Sequence, residues 1–420
     1  MRIDLVAPPY SGHLHPILAI ARQLTPDHDV RVISTPAAQA RIAACGLRAV
    51  SVLDAQADRV LLDIANPPHA VGHHPLRLRR QLHAALGLMA QLGDALKTDW
   101  RARRPDLVIA DFTLPSAGLA AQAMGIAWWT SMPSPCVIET GDGPPAYFGG
   151  LRPATTLRQR MWHALARRLT RGFKRSLHAC YRRQMRACGL PALYRRDRSE
   201  AVYSPQCILA LGVPAFEFAQ RWPAALRFVG PQLCTPPSEV APPGFVDGRR
   251  HVLVTLGTHL QWVKQRMDEV LRALAPRFPE VIFHFSDGDT AAPQQQGQGQ
   301  GNYQRLPYVD YAQHLPRYAL VVHHGGAGIL YACLAAGLPA IVYPLDYDQF
   351  DHAARLQAAG AAIWLRNLDE LPARLDDALA ATEPPCGVRR LQAELQAIHA
   401  QQRVVQLVQA FAGTGALLQE

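Results

Sequence analysis

The stretch Val322-His323-His324-Gly325-Gly326-Ala327-Gly328-Ile329 joins an apolar run, Ala319 to Val322, to a helix-compatible run, Leu330 to Gly337. A buried strand should end there and a helix should begin. Glycines permit a tight turn and let a ligand approach the backbone closely. The first free N–H groups of the helix point at that ligand, and the helix dipole favours an anion. His324 adds a side-chain donor. The stretch is therefore suited to a diphosphate at the carboxyl end of a parallel sheet. Alone, it reads equally well as a tight strand-to-helix turn with a structural histidine. It is not a Walker A loop, because no G-K-[ST] follows, and it does not complete G-x-G-x-x-G.

A second pair of residues could handle a proton. His13 follows Gly12 at the end of the first strand candidate, and Asp111 ends a later one, "DLVIAD". Both should project at the carboxyl edge of one sheet. An imidazole with a carboxylate on its far nitrogen is a competent general base near neutral pH. Alone, His13 reads as a helix-capping or structural histidine. His15 should face elsewhere, and Asp106 precedes the strand. Two metal-like patterns are weaker. Asp346-Tyr347-Asp348 has the form D-x-D, and His69, His73 and His74 are closely spaced, but no Cys or acid completes the latter.

The elements that must position these groups alternate. "RIDLVAPP", "DVRVIST" and "RPDLVIAD" are strands with helical stretches between them. Residues 107–129, the most apolar window, contain Asp111, Pro115 and Gln122. They read as strand, loop and helix rather than a membrane span. Residues 60–100 are helical around an interruption at "NPPHAVGHHP". A Pro-rich stretch over 227–250 is the linker candidate, and the alternation then restarts with "HVLVTLGT", "EVIFHFS", "YALVVHHGG" and "PAIVYPL". "AAPQQQGQGQGN" is of low complexity and reads as a surface loop. Residues 388–417 read as largely helical. This order predicts parallel sheets with helices on both faces.

Over 154–187, apolar residues recur every fourth position, from Leu157 and Met161 through Leu165, Leu169, Phe173, Leu177 and Tyr181 to Met185. That step drifts about 40° around a helix of 3.6 residues per turn. One straight helix could not keep such a stripe on a core, so a break near Gly172 is expected.

The chain has 420 residues, 49% of them hydrophobic, which suits two domains rather than one core. The formal net charge of +10 points to an acidic partner. Residues 151–200 hold 14 Lys and Arg against two acids, Asp197 and Glu200. Eight cysteines without a C-x-x-C pair read as reduced thiols of a cytosolic protein. The N-terminus does not have the form of a signal peptide. Alanine- and arginine-rich usage suggests a bacterial source.

Residues 308–356 resemble the donor-binding signature of the family 1, UDP-glycosyltransferase-like, nucleotide-sugar glycosyltransferases. The matching features are an aromatic at the start, "HHGG", "AAGLP", "YP" and the Asp348-Gln349 pair. "GHLHPILAIA" resembles the family's G-H-x-x-P element, and "VTLGT" resembles the first strand-loop of its second domain. The resemblance implies an α/β fold of two Rossmann-like domains facing across a cleft, the GT-B arrangement. An acceptor-binding domain would span 1–230, a linker 231–250 and a nucleotide-sugar domain 251–395, with 396–420 crossing back as a helix.

It also implies roles. Tyr308 would stack on the base, standing where the family usually has Trp. Gly12 and Thr258 would lie near the donor. His324 and the backbone of Gly326, Ala327, Gly328 and Ile329 would hold the diphosphate. Asp348 and Gln349 would bond the sugar hydroxyls. His13 would take the acceptor proton, oriented by Asp111. Asp310-Tyr311 replaces the usual Pro-Gln, and Ile329 stands where most members carry Ser or Thr.

The implied reaction is inverting hexosyl transfer from a UDP- or dTDP-sugar, UDP first, to a hydroxyl of a small hydrophobic or lipid-like acceptor. No metal and no further cofactor is expected, because the helix N-terminus stabilises the leaving group and Asp348 belongs to the sugar site. A sugar-nucleotide epimerase and a non-catalytic binder are the alternatives. The basic segment 157–187 reads as a solvated helix face, as a contact with an anionic membrane, or as a device that steers acidic acceptors or nucleic acid. No nucleic-acid motif accompanies it. The expected location is cytoplasmic, with peripheral contact at the inner face of the membrane.

Overall fold

The computed structural model describes residues 1–65, 75–237, 240–258, 261–289 and 299–414. The His69, His73 and His74 cluster and most of the low-complexity stretch fall outside those residues.

Two seven-stranded sheets organise the chain. The first has β1 (Arg2–Val6), β2 (Asp29–Ser34), β3 (Arg48–Ser51), β4 (Leu107–Asp111), β5 (Ala127–Met132), β6 (Cys207–Ala210) and β7 (Leu226–Phe228) in the order β3-β2-β1-β4-β5-β6-β7. All its pairings are parallel. The second has β8 (Arg250–Thr255), β9 (Val281–Ser286), β10 (Gly299–Gln300), β11 (Tyr303–Leu306), β12 (Leu320–His323), β13 (Ala340–Val342) and β14 (Ala362–Trp364) in the order β10-β11-β9-β8-β12-β13-β14. Only the edge strand β10 runs antiparallel. The central strands are near-continuous apolar runs such as "LVIAD" and "LVVH", buried along their whole length. Helices cover both faces of the sheets, so these strands cannot alternate polar with apolar residues.

Each sheet reverses its winding once. The chain moves outward from β1 through β2 to β3, then returns to place β4 on the other side of β1. In the second sheet it moves outward from β8 and returns to place β12 beside β8. The loops after β1 and β4, and those after β8 and β12, therefore splay apart at two switch points. Ligands of open α/β sheets bind in such crevices. The Ala400–Thr414 helix lies against the first sheet's side of the molecule, with Val404, Val408 and Phe411 in its core.

The window 107–129 folds as β4, the Pro115–Ala123 helix and the start of β5. Among the described residues no helix is long and apolar enough to cross a membrane. All eight cysteines are free.

The C-terminal stretch is largely helical as expected through Thr414, in two helices, Cys386–Ala397 and Ala400–Thr414, that meet at His399, where φ is +48°. Two expectations need correction. The Pro-rich stretch begins as strand β7 rather than as linker. Most importantly, no break occurs at Gly172. One helix runs from Leu157 to Cys180, and the chain bends only at Tyr181 before the Arg182–Ala187 helix. The expected break assumed that the apolar stripe lies on the core. From Leu157 to Phe173 the stripe faces solvent instead, so its drift requires no kink there.

Candidate active site

The first switch point carries the imidazole. The Ser11–Leu24 helix begins just after β1, which places His13 in its first turn rather than on the strand end. Asp111 closes β4 beside it and is 1% exposed. His13 Nδ1 lies 3.1 Å from both Asp111 carboxylate oxygens. A carboxylate only accepts, so Nδ1–H donates and Nε2 keeps its lone pair. Asp111 is held in turn: its Oδ1 accepts from the Thr113 amide at 2.9 Å and from the Thr113 hydroxyl. Phe112 packs on the imidazole with ring centroids 5.5 Å apart.

Burial alone would depress the His13 pKa. The charge and hydrogen bond of Asp111 oppose it, with a smaller contribution from Asp348, and the net direction is upward. Asp348 belongs to the second half of the chain, so its charge acts on His13 across the gap between the sheets. His15, two residues on, is pushed down to about 4 by burial and by Arg41. Gly12 is exposed, with no atom within 4 Å of where a Cβ would stand, which leaves open space beside His13.

The second switch point carries the candidate anion cradle. β12 ends at His323, and the Ala327–Ala335 helix starts after Gly326. No side chain caps this helix. The N–H groups of Ala327, Gly328 and Ile329 precede its first helical hydrogen bond, Leu330 N–H to Gly326 O at 3.0 Å. Amides without a helical partner at a helix start can hold an anion. Gly328 is exposed, whereas the Ile329 side chain is buried in the core, so Ile329 can offer only its N–H.

The two histidines divide the work. His323 is fully buried and its Nδ1 accepts from the Gly325 amide at 3.0 Å. Burial, then His324 and His352, push its pKa down to about 3, so it is a neutral structural group. His324 lies against two glycines: a Cβ on Gly257 would stand 2.8 Å from its ring and one on Gly326 only 2.5 Å away. Gly257 itself follows β8 with φ +79°, and Thr258 is next to it.

The remaining residues arrive from neighbouring loops. Asp348 immediately precedes the Gln349–Ala358 helix. Gln349 is 9% exposed, and its Oε1 accepts from the amides of Leu345 and Asp346 at 2.8 and 3.1 Å. Its carbonyl is thus committed to the loop, and its NH₂ is the group left for a ligand. Tyr308 follows β11 and is half-buried, which raises its phenol pKa. Asp310, standing where Pro-Gln was expected, caps the Tyr311–His314 helix by accepting from the Ala312 and Gln313 amides. Asp346, the first carboxylate of the D-x-D pattern, accepts from the Tyr347 amide. Among the described residues no three His, Cys, Asp or Glu side chains are grouped as a metal site.

Sequence reasoning missed the supports. His352 Nδ1–H donates to Gly325 O at 2.8 Å, so His323 and His352 fix both backbone groups of the cradle's second residue. The signal was available: His352 lies four residues after Asp348, one helical turn on. Arg355 donates to the buried Glu217 at 2.8 Å, joining the helix behind Asp348 to the first half of the chain. The Tyr147 amide donates to Asp351 of the same helix at 2.9 Å.

Residues 251–406 match the model of the glycosyltransferase family 28 C-terminal domain. The whole chain is similar to 4'-demethylrebeccamycin synthase of Lentzea aerocolonigenes, 27% identical over 87% of each chain. It is also similar to the TDP-daunosamine transferase DnrS of Streptomyces peucetius, 26% identical over 94% of this chain and 93% of that one. Among solved structures, the glycotransferase of kitacinnamycin superposes with a TM-score of 0.70 at 21% identity, covering 97% and 98% of the two chains.

Proposed function

Because the chain is a glycosyltransferase of the GT-B type, we propose that it moves a hexose from a pyrimidine nucleoside-diphosphate sugar to a hydroxyl of a small hydrophobic or lipid-like acceptor, with inversion at the anomeric carbon. UDP- and dTDP-sugars are the two donor candidates; one relative bears the name of a TDP-sugar transferase. The 1–230 half takes the acceptor, the 251–395 half takes the donor, and 231–250 links them.

One observation carries this reading. An oriented imidazole–carboxylate pair at the first switch point stands within electrostatic reach of Asp348, which belongs to the same half as the amide cradle. The acceptor hydroxyl sits at His13 Nε2. As its oxygen attacks the anomeric carbon, the proton passes to Nε2 and Asp111 stabilises the imidazolium. The bond from the anomeric carbon to the phosphate oxygen breaks with its electron pair. The nucleoside diphosphate leaves into the N–H groups of Ala327, Gly328 and Ile329, with His324 beside them, where fixed dipoles stabilise the developing charge. Asp348 and the Gln349 NH₂ hold the sugar hydroxyls, and Tyr308 stacks on the base. The helix N-terminus supplies the stabilisation for which a metal would otherwise serve. A non-catalytic binder would have no use for the His13–Asp111 pair, and an epimerase would release no glycosylated acceptor.

The test is an incubation with UDP-glucose or dTDP-glucose and a panel of hydroxylated aromatic and lipid acceptors, followed by NMR of the product. An axial donor linkage should become an equatorial product linkage. A product retaining the donor's configuration would overturn the displacement, and donor binding without any transfer would favour the binder.

A further inference from the structure

A surface helix ordinarily turns its apolar stripe to the core and its charges to water. The Leu157–Cys180 helix does the reverse. Its inner side is held by polar contacts: Arg171 donates to Glu139 at 2.8 Å, and Lys174 donates to Glu139 and Glu200 at 2.8 and 2.6 Å. Its outer side exposes Leu157, Met161, Trp162, Leu165, Leu169 and Phe173, each between 46% and 73% accessible. A capping box of Thr156 and Gln159 fixes its start, so the stripe is set on a complete helix.

Charge selects what covers this face. No acid occurs between 157 and 187, and Arg158, Arg160, Arg168 and Arg175 are exposed among the apolar residues. Arg182, Arg183 and Arg186 follow, also exposed. A second copy docked here by two-fold symmetry would set these arginines against one another with no carboxylate between them. A nucleic acid would satisfy the arginines but leave the leucines in water. An anionic lipid surface satisfies both, with aromatic and leucine side chains entering the headgroup boundary and guanidinium groups meeting phosphates.

We propose that the Leu157–Cys180 helix is a peripheral docking surface for an anionic membrane, on which it lies flat with its Trp162–Leu165–Leu169 face inserted. The loop that carries Glu139, Gly143 and Tyr147 joins this helix to the helix behind Asp348. Docking therefore places the cleft beside the lipid phase. The assignment is independent of which nucleotide or acceptor the cleft takes.

Full-length protein is to be sedimented with phosphatidylcholine vesicles, with and without phosphatidylglycerol. The anionic vesicles should carry down at least about tenfold more protein. Leu165→Gln/Leu169→Gln and Arg158→Glu/Arg168→Glu should each lower that amount about tenfold. Transfer to a water-soluble acceptor should be unchanged in both, which separates this surface from the cleft and shows that the variants fold. Several results would overturn the proposal. These are no sedimentation with anionic vesicles at low salt, sedimentation indifferent to the leucine substitutions, a dimer that those substitutions dissolve in the absence of vesicle binding, and binding to duplex RNA or DNA but not to vesicles.

Discussion

In the proposed mechanism the two switch points hold their chemistry by different means. At the first, side chains act: His13 and Asp111 are a mutable, titratable pair aligned by Thr113. At the second, the backbone acts: three amides at the start of the Ala327–Ala335 helix are presented by glycines and locked by buried histidines. The contrast follows from the charge each must handle. A proton has to arrive and leave within one turnover, which needs a group whose pKa lies near the working pH. A diphosphate needs a fixed positive potential, and peptide dipoles supply that without titrating. A side-chain device fails when its identity changes. A backbone device fails when its geometry does.

The sharpest way to break the comparison is at His13. In His13→Ala the proton has no acceptor, and kcat should fall about 10³-fold, within the usual range for a general base, while binding of the nucleoside diphosphate stays as it was. Titration calorimetry with UDP and dTDP beside the kinetics separates the two. Undiminished turnover would remove His13 from the chemistry. Asp111→Asn comes next, at about 10²-fold in kcat, because an amide beside Nδ1 favours the wrong tautomer. It also carries a sign. Asp111 raises the His13 pKa, so the free base forms only at higher pH. Removing that charge should move the acid limb of the rate profile to lower pH. An unmoved limb would assign it to another group.

The backbone device is tested by a methyl-sized intrusion. A Cβ on Gly326 would stand 2.5 Å from His324 Nε2. Gly326→Ala must therefore push the ring off the crevice, and donor affinity should fall about tenfold to thirtyfold for the loss of one charge-assisted hydrogen bond. The pH profile of kcat should stay where it was, since the His13–Asp111 pair is untouched. A shifted profile would mean that the two devices are not separable.

The sequence made the two devices unequally legible. Asp111 and the "HHGG" turn stand at strand ends and His13 in the first turn of the helix after β1, and a strand end followed by a glycine or a helix start can be read from local pattern. The alternation of strands and helices likewise reads directly into two parallel sheets. Long-range choices were not legible. Nothing local distinguishes His323, folded inward, from His324. The Gln349 carbonyl is committed to the Leu345 and Asp346 amides only because that loop doubles back. Arg355 and Glu217 meet across 138 residues. The Leu157–Cys180 helix was misread because periodicity reports which residues share a face and not what that face meets. Its apolar side was assigned to a core, whereas ion pairs to Glu139 and Glu200 hold the opposite side down.

The smallest expected effect compares two histidines rather than two regions, and it is a stability effect. His323 has its folded-state pKa pushed down to about 3 by burial, whereas an unfolded histidine titrates near 6.5. Below about pH 6.5 the unfolded chain takes a proton that the folded site refuses. Stability should then decline by up to about 1.4 kcal/mol per pH unit from this group alone. His13 runs the other way. With its folded pKa raised, its contribution is fully present below the unfolded value and is lost as pH rises through the folded one. His323→Asn keeps an acceptor for the Gly325 amide but cannot titrate. Urea unfolding at pH 7 and pH 5 should therefore show the gap between the two pH values narrowing by about 1–2 kcal/mol in the variant. The absolute stability of the variant can drop for packing reasons without touching that difference. A gap of unchanged size would mean that His323 takes up its proton in the folded state, and that the cradle is not held by a neutral imidazole.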